Sequence, residues 1–322
     1  MRVVVIGGTG HIGTYLAPRL LALGCQVVSV SRQQREPYHG QGAWKQGAWK
    51  AVEQVNINRD EAEAAGEFGR EILALKPDVV IDLICFTPQS NRQLMEALRH
   101  QVQHFLHCGT IWVHGPAAET PTRESDARRP FGAYGLAKAQ IEHDLLSEAR
   151  RSGFPATVLH PGHIVGVGWA PLNPAGHFNP EVFTRLARGE PLTLPNFGLE
   201  TVHHVHADDV AQGFERALTH WRASVGEAFH LVSPRALTLR GYAEAVSGWF
   251  GREAALEYAP FEAWRTGVLA EDAQATWEHI ARSPNISTEK ARRALGYTPR
   301  YSSLEAVREA LDAMIAAGAV AT

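Results

Sequence analysis

Three glycines held between an apolar pentapeptide and an amphipathic helical run constrain this chain more than any other feature. Residues 2–6 read RVVVI, with the length and β-branched content of a buried strand. GGTGHIG follows, in which Gly7, Gly10 and Gly13 frame His11 and Ile12. Residues 11–23 then carry Ile12, Leu16, Leu20 and Leu21 along one side, the period of a helix. A strand passing through a glycine turn into a helix is the first half of a βαβ unit. Its helix N-terminus presents unpaired N–H groups suited to an anion.

The alternation continues. QVVSV (26–30), PDVVIDLI (77–84), HFLHC (104–108) and PATVLH (155–160) read as further strands, each separated from the next by a helix-length segment. This pattern predicts an α/β fold, a Rossmann-type doubly wound parallel sheet covered on both faces. The texture changes after about residue 162, where 163–200 is rich in Gly, Pro and Asn. TVHHV (201–205) and EAFHLV (227–232) read as returning strands around a helix at 207–220. From about 238 the chain reads as mainly helical, with breaks near Pro260, Pro284 and Pro299.

A chain of 322 residues suits one large α/β domain or two joined lobes. Its formal charge of −3 supplies no basic field for nucleic acid or anionic lipid, so neither is expected as a partner. Three scattered cysteines, Cys25, Cys85 and Cys108, argue against a disulfide framework and for a reducing compartment. The chain opens directly in a strand and has no apolar run near the ~20 residues that span a bilayer. A cytoplasmic location without signal peptide or membrane is the expectation.

The glycine loop predicts a dinucleotide whose pyrophosphate sits on the helix N-terminus. An acid at the end of the second strand would accept both ribose hydroxyls and favour NAD. Here that strand runs into VSVSRQQR, with Ser31 at the acid's place and Arg32 and Arg35 after it. A hydroxyl and guanidinium groups suit a 2′-phosphate, which tilts the expectation from NAD toward NADP. The tandem QGAWK of 41–45 and 46–50 reads as a duplication in a surface loop, or else as a Trp-bearing flap beside the cofactor.

YGLAK places Tyr134 and Lys138 one helical turn apart. A phenol titrates near pH ~10, too high for acid/base work at neutrality unless a nearby ammonium and an oxidised nicotinamide lower it. So paired, Tyr134 would exchange a proton with an alcohol or ketone. Sixteen histidines, with HHVH at 203–206, raise the question of a metal. His204 and His206 would share one side of a strand, but no third ligand follows at convincing spacing, and none is expected.

GGTGHIG, YGLAK and the strand end HCGTIWVHG (107–115) together resemble the extended short-chain dehydrogenase/reductases, more narrowly the NAD(P)-dependent epimerase/dehydratase family. HPGHIVGVGW (160–169), VHADDVA (205–211) and EKARRALGYTPRYS (289–302) are similar to its later landmarks. The resemblance implies a Rossmann domain over 1–162 with a returning segment 201–233. It also implies a smaller, mainly helical substrate lobe from 163–200 and 234–322, and a homodimer. It makes Thr110 the hydroxyl that bonds the substrate oxygen, Tyr134 the acid/base, and Lys138 the group that binds the nicotinamide ribose and lowers the phenol. Asn56 and Ile57 would meet the adenine, Leu83 and Ile84 would flank the dinucleotide, and Pro161 and His163 would lie near the nicotinamide.

Departures from the family pattern narrow the chemistry. Ile111 and Trp112 stand where dehydratases carry Asp-Glu, so elimination of water lacks its acid and base. Val202 replaces an arginine that grips a diphosphate, QATWEHIA lacks the second, and His114 replaces the usual Tyr; Arg185, Arg188 or Arg282 would have to compensate. The expected substrate is a small polar, sugar-like molecule, with a nucleotide sugar as an open option. Epimerase and reductase or dehydrogenase both remain open, the alternative being an NADPH-dependent ketone reductase on a non-nucleotide substrate. A non-catalytic RNA-binding or cofactor-sensing relative is a further alternative.

Overall fold

The computed structural model describes residues 1–34, 36–38 and 47–322. Arg35 and the first QGAWK copy, with Gln46 of the second, lie outside the described residues. The described part of the second copy packs onto the protein: Trp49 is buried and its Nε1 donates to Thr14 O at 3.3 Å.

The first half contributes β1 (Arg2–Ile6), β2 (Gln26–Ser31), β3 (Glu53–Asn56), β4 (Val79–Asp82), β5 (His104–Cys108) and β6 (Ala156–Pro161). Between them run α1 (His11–Ala22), α2 (Arg59–Ala64), α3 (Phe68–Ala74), α4 (Pro88–Leu98) and α5 (Gly132–Ser152). The chain then makes β7 (His163–Val165), α6 (Glu181–Arg188), β8 (Leu192–Pro195), β9 (Thr201–Val202), β10 (His204–His206), α7 (Ala207–Thr219) and β11 (Ala228–Leu231).

Seven strands form one sheet in the order β11-β6-β5-β4-β1-β2-β3, every pair parallel. Side-chain alternation explains its double cover. Val3 and Val5 enter a core with Leu16 and Leu20 of α1 and Phe214 of α7, whereas Val4 and Ile6 enter another with Ile72, Leu94, Ile141 and Leu145. From β1 the chain winds outward to β2 and β3, and from β4 the other way. The strand order therefore reverses between β1 and β4, which opens a crevice at their carboxyl ends.

Segment 201–206 forms β9 and β10 outside this sheet: β10 pairs with β7, and β9 pairs with Leu237–Thr238. A third apolar cluster, including Phe183, Leu194, Tyr242, Trp264 and Leu311, is the core of the smaller, mainly helical lobe. Among the described residues no helix is long and apolar enough to cross a membrane.

Candidate active site

The glycine loop is built for close approach. Gly7 adopts φ +84°, a conformation that disfavours side chains. A Cβ on Gly13 would lie 2.1 Å from Gly8 O, so loop and helix touch through backbone alone. Gly10 caps α1 without a side-chain acceptor, leaving first-turn N–H groups toward the crevice. This bare cradle fits a pyrophosphate, and a side chain would fill it.

Two adjoining cavities of about 600 and 670 Å³ share Gly7, Gly10, Ile84 and Phe86 and form one crevice. The first is lined by Ser31, Arg32, Ile57, Asn58 and Arg59. Asn56 is an exposed strand-end residue outside this lining, and Gly13 lies beneath the loop. The fourth strand stops at Asp82, short of the predicted 84. Its carboxylate accepts from Arg59 Nη1 at 2.9 and 3.0 Å and from Ile84 N–H at 3.2 Å, turning the chain out of the sheet. Leu83 and Ile84 thereby fall in the loop that lines the second cavity.

That second cavity brings together Thr110, Tyr134, Lys138, His11, Ile12, Pro161 and His163. Thr110 follows β5 by two residues and caps a short 3-10 turn, its Oγ1 accepting from Trp112 N–H at 3.3 Å. Lys138 is buried, and its Nζ donates to Cys85 O and Cys108 O, both at 2.7 Å. Burial lowers its pKa. Tyr134 is 40% exposed at the mouth of the cavity, with Thr110 beside it in the same lining. The sequence predicts a phenol lowered by Lys138 together with an oxidised nicotinamide. In the protein alone burial pushes it up to about 12, with Cys108 adding to the rise and the Thr110 hydroxyl opposing it. The ammonium sits 5.9 Å from the ring centroid and is engaged by two carbonyls.

A buried polar network, not read from the sequence, stands behind Thr110. Thr110 N–H donates to His160 Nδ1 at 2.9 Å, and His160 Nε2 lies 3.1 Å from Glu142 Oε1. Glu142 follows Tyr134 and Lys138 at the next helical turn of α5 and takes Arg128 through both oxygens at 2.7 and 3.0 Å. His160 and Arg128 hold its carboxyl well below the usual range despite burial. His114 continues the network to His230, Nε2 to Nε2 at 2.7 Å, and burial brings His114 down to about 3. The spacing 134, 138, 142 was the available signal; His160 and His230 come from other strands.

The remaining candidates lie outside the lining of the crevice. Val202 is fully buried. Arg282 lies between Trp112 and Phe131, 3.7 and 3.8 Å from their ring centroids, and donates to Glu278 O and Phe131 O. Arg185 lines a separate cavity and Arg188 faces Glu190 at 4.0 Å. His203 bonds Ser233 O, His204 bonds Leu172 O, and His206 Nε2 meets Glu309 at 2.5 Å. Among the described residues no group of three His, Cys, Asp or Glu could hold a metal.

The sequence profile of the NAD dependent epimerase/dehydratase family matches residues 3–231. The chain belongs to that family, and so to the NAD(P)-dependent enzymes of the extended short-chain dehydrogenase/reductase type. It is 28% identical to 2'-dehydrokanamycin reductase of Streptomyces kanamyceticus over 78% of this chain and 67% of that one. It is 25% identical to chloroplast stem-loop binding protein of 41 kDa b of Arabidopsis thaliana, over 97% and 78%. UDP-glucose 4-epimerase of Thermotoga maritima shares the fold, with a TM-score of 0.73 at 20% identity over 98% of this chain and 99% of that chain.

Proposed function

We propose that this enzyme moves hydride between NAD(P) and a secondary alcohol or ketone on a small sugar-like substrate, with Tyr134 as acid/base. The observation that carries the reading is the convergence of Thr110, Tyr134 and Lys138 in one cavity that opens onto the glycine cradle. The nicotinamide supplies or accepts the hydride when bound. Tyr134 Oη gives its proton to the carbonyl oxygen in reduction and takes it back in oxidation, and Thr110 Oγ1 donates a hydrogen bond to the same oxygen. Lys138, anchored on two carbonyls, holds the ribose side and keeps a positive charge near the phenol. Arg32, exposed beside Ser31 in the nucleotide cavity, favours the 2′-phosphate of NADP.

Tyr134→Phe tests the reading: it should fold, bind dinucleotide and lose at least about a hundredfold in turnover, the scale of a lost general acid/base. Near wild-type turnover removes Tyr134 from the mechanism. Thr110→Val should also lose turnover, and Thr110→Ser should keep much of it. Dinucleotide that survives purification supports an epimerase, which never needs to release it, whereas free exchange supports a reductase or dehydrogenase. The family resemblance supports a homodimer, and light scattering at the mass of one chain rules it out.

A further inference from the structure

We propose that the substrate end of the crevice takes an uncharged ring bearing the secondary alcohol or ketone, seated by its apolar face on an aromatic wall, and excludes nucleoside diphosphates. This rests on the hydride-transfer reading above and specifies its substrate class.

The wall is a sequence of rings in contact. Phe86 meets Tyr134 at 6.5 Å between centroids, Tyr134 meets Trp112 edge-on at 5.6 Å, Trp112 meets His279 at 5.2 Å, and His279 meets Phe178 at 5.7 Å. All five line the cavity that holds Thr110 and Lys138. Phe86 is 54% exposed and Phe178 45% exposed, unusual for rings this large, so the wall offers contact area that the fold itself leaves uncovered.

Charge is the second observation. Among the described residues lining this cavity, Lys138 is the one lysine or arginine, and there is no aspartate or glutamate. Its ammonium is already committed to Cys85 O and Cys108 O. Of the three lining histidines, His11, His163 and His279, burial holds the last two below their ordinary value. Arg282, the cation nearest the wall, is only 3% exposed and locked behind Trp112. A diphosphate entering here would lose its hydration with no uncommitted lysine or arginine in the lining to replace it, a large penalty. A neutral ring loses little, and its C–H or π face gains the contact.

The test uses the enzyme saturated with NADP+, read by tryptophan fluorescence from Trp112 and Trp169 in the lining. The probes are 1-tetralone, the same ketone carrying a ring carboxylate, UDP, and methyl 6-deoxyglucoside. At least one uncharged probe should saturate at least about tenfold tighter than the carboxylate and UDP, the lower scale of one missing charge-assisted contact. Whether tetralone or the glucoside does so tells a carbocycle from a pyranose. Phe178→Arg, at an exposed position that tolerates substitution, should erase or invert the preference. UDP or the carboxylate binding as tightly as the neutral probes overturns the proposal, and so does failure of both neutral probes to saturate. Dinucleotide binding is titrated separately: its loss strikes the hydride-transfer reading, while its persistence confines any failure to the substrate class.

Discussion

Thr110 N–H donates to Nδ1 of His160 at 2.9 Å, which leaves the ring proton on Nε2, 3.1 Å from Glu142 Oε1. The candidate substrate-binding hydroxyl is thus positioned from the helix that carries Tyr134 and Lys138. Gly109 permits the approach, since a Cβ there would sit 2.3 Å from His160 Nδ1. One consequence concerns stability. Glu142→Gln leaves Arg128 and His160 facing a neutral amide and should cost about 3 kcal/mol, the lower figure for breaking a buried pair. The native carboxyl is held below its ordinary pKa, so its contribution is complete above the unfolded value and is lost as pH falls toward the native one. The gap between wild type and Glu142→Gln in urea unfolding should therefore be full at pH ~7 and shrink below pH ~4.3. A gap unchanged down to about pH 3 contradicts the assignment.

Cofactor choice follows from Arg32. A charge-assisted pair to a 2′-phosphate contributes about 1.5–3 kcal/mol, or roughly 10- to 150-fold preference for NADP(H) at 1.4 kcal/mol per decade. Arg32→Ala should erase most of that preference and leave NAD(H) affinity nearly unchanged. Paired titrations of the two dinucleotides on wild type and variant decide it. Equal wild-type affinities dispose of the idea.

The glycine cradle gives a sharper geometric test. Gly13→Ala sets a methyl 2.1 Å from Gly8 O, backbone against backbone, so loop and helix must separate. Dinucleotide affinity should fall at least about tenfold, the yield of a single lost close contact of roughly 1.4 kcal/mol. Gly248→Ala is the control: it lies in the helix Leu239–Trp249 with nothing within 4 Å of its Cβ. It should leave binding alone and stabilise by about 0.4–1 kcal/mol. Equal affinities for the two variants would show that the loop yields freely.

These sites differ in how far they can be read from letters. The glycine loop, YGLAK and the strand ends are local: their meaning lies in short spacing and in strand–helix alternation, and the sheet order follows from parallel crossovers. Thr110 follows β5, Tyr134 and Lys138 lie in the first turns of α5, and their meeting follows from that strand end and helix start facing the same crevice. His160 and His230 are different. They look like ordinary strand residues, and only the pairing of β6 with β5 and with β11 brings them behind Thr110. The texture of TVHHV signals strand, but it cannot say which partner the strand takes, since β-branched alternation is the same in a sheet and in a two-residue ribbon. The environment of Tyr134 in the protein alone is less legible, for a physical reason. Spacing on a helix reports proximity to Lys138, whereas the carbonyls that claim the ammonium lie on other segments.

That difference makes the ionisation of Tyr134 a discriminating measurement. Burial raises the phenol to about 12 in the protein alone, and the neighbouring Thr110 hydroxyl is the group that favours the phenolate. The raised value keeps the proton on Oη at neutrality, the form that donates to a carbonyl. Oxidation needs the phenolate, so its rate should climb with pH, while reduction stays flat over about pH 6–9. Binding of oxidised dinucleotide adds a positive charge and should bring the ionisation down. The check is tyrosinate absorbance in the near ultraviolet, wild type minus Tyr134→Phe, with and without NADP+. Without cofactor the difference signal should be silent below about pH 10 and should appear at lower pH once NADP+ is bound. Thr110→Val should move both transitions upward, because it removes the hydroxyl that favours the phenolate. Ionisation of Tyr134 near neutrality in the cofactor-free protein would mean that Lys138, not the dinucleotide, prepares the base.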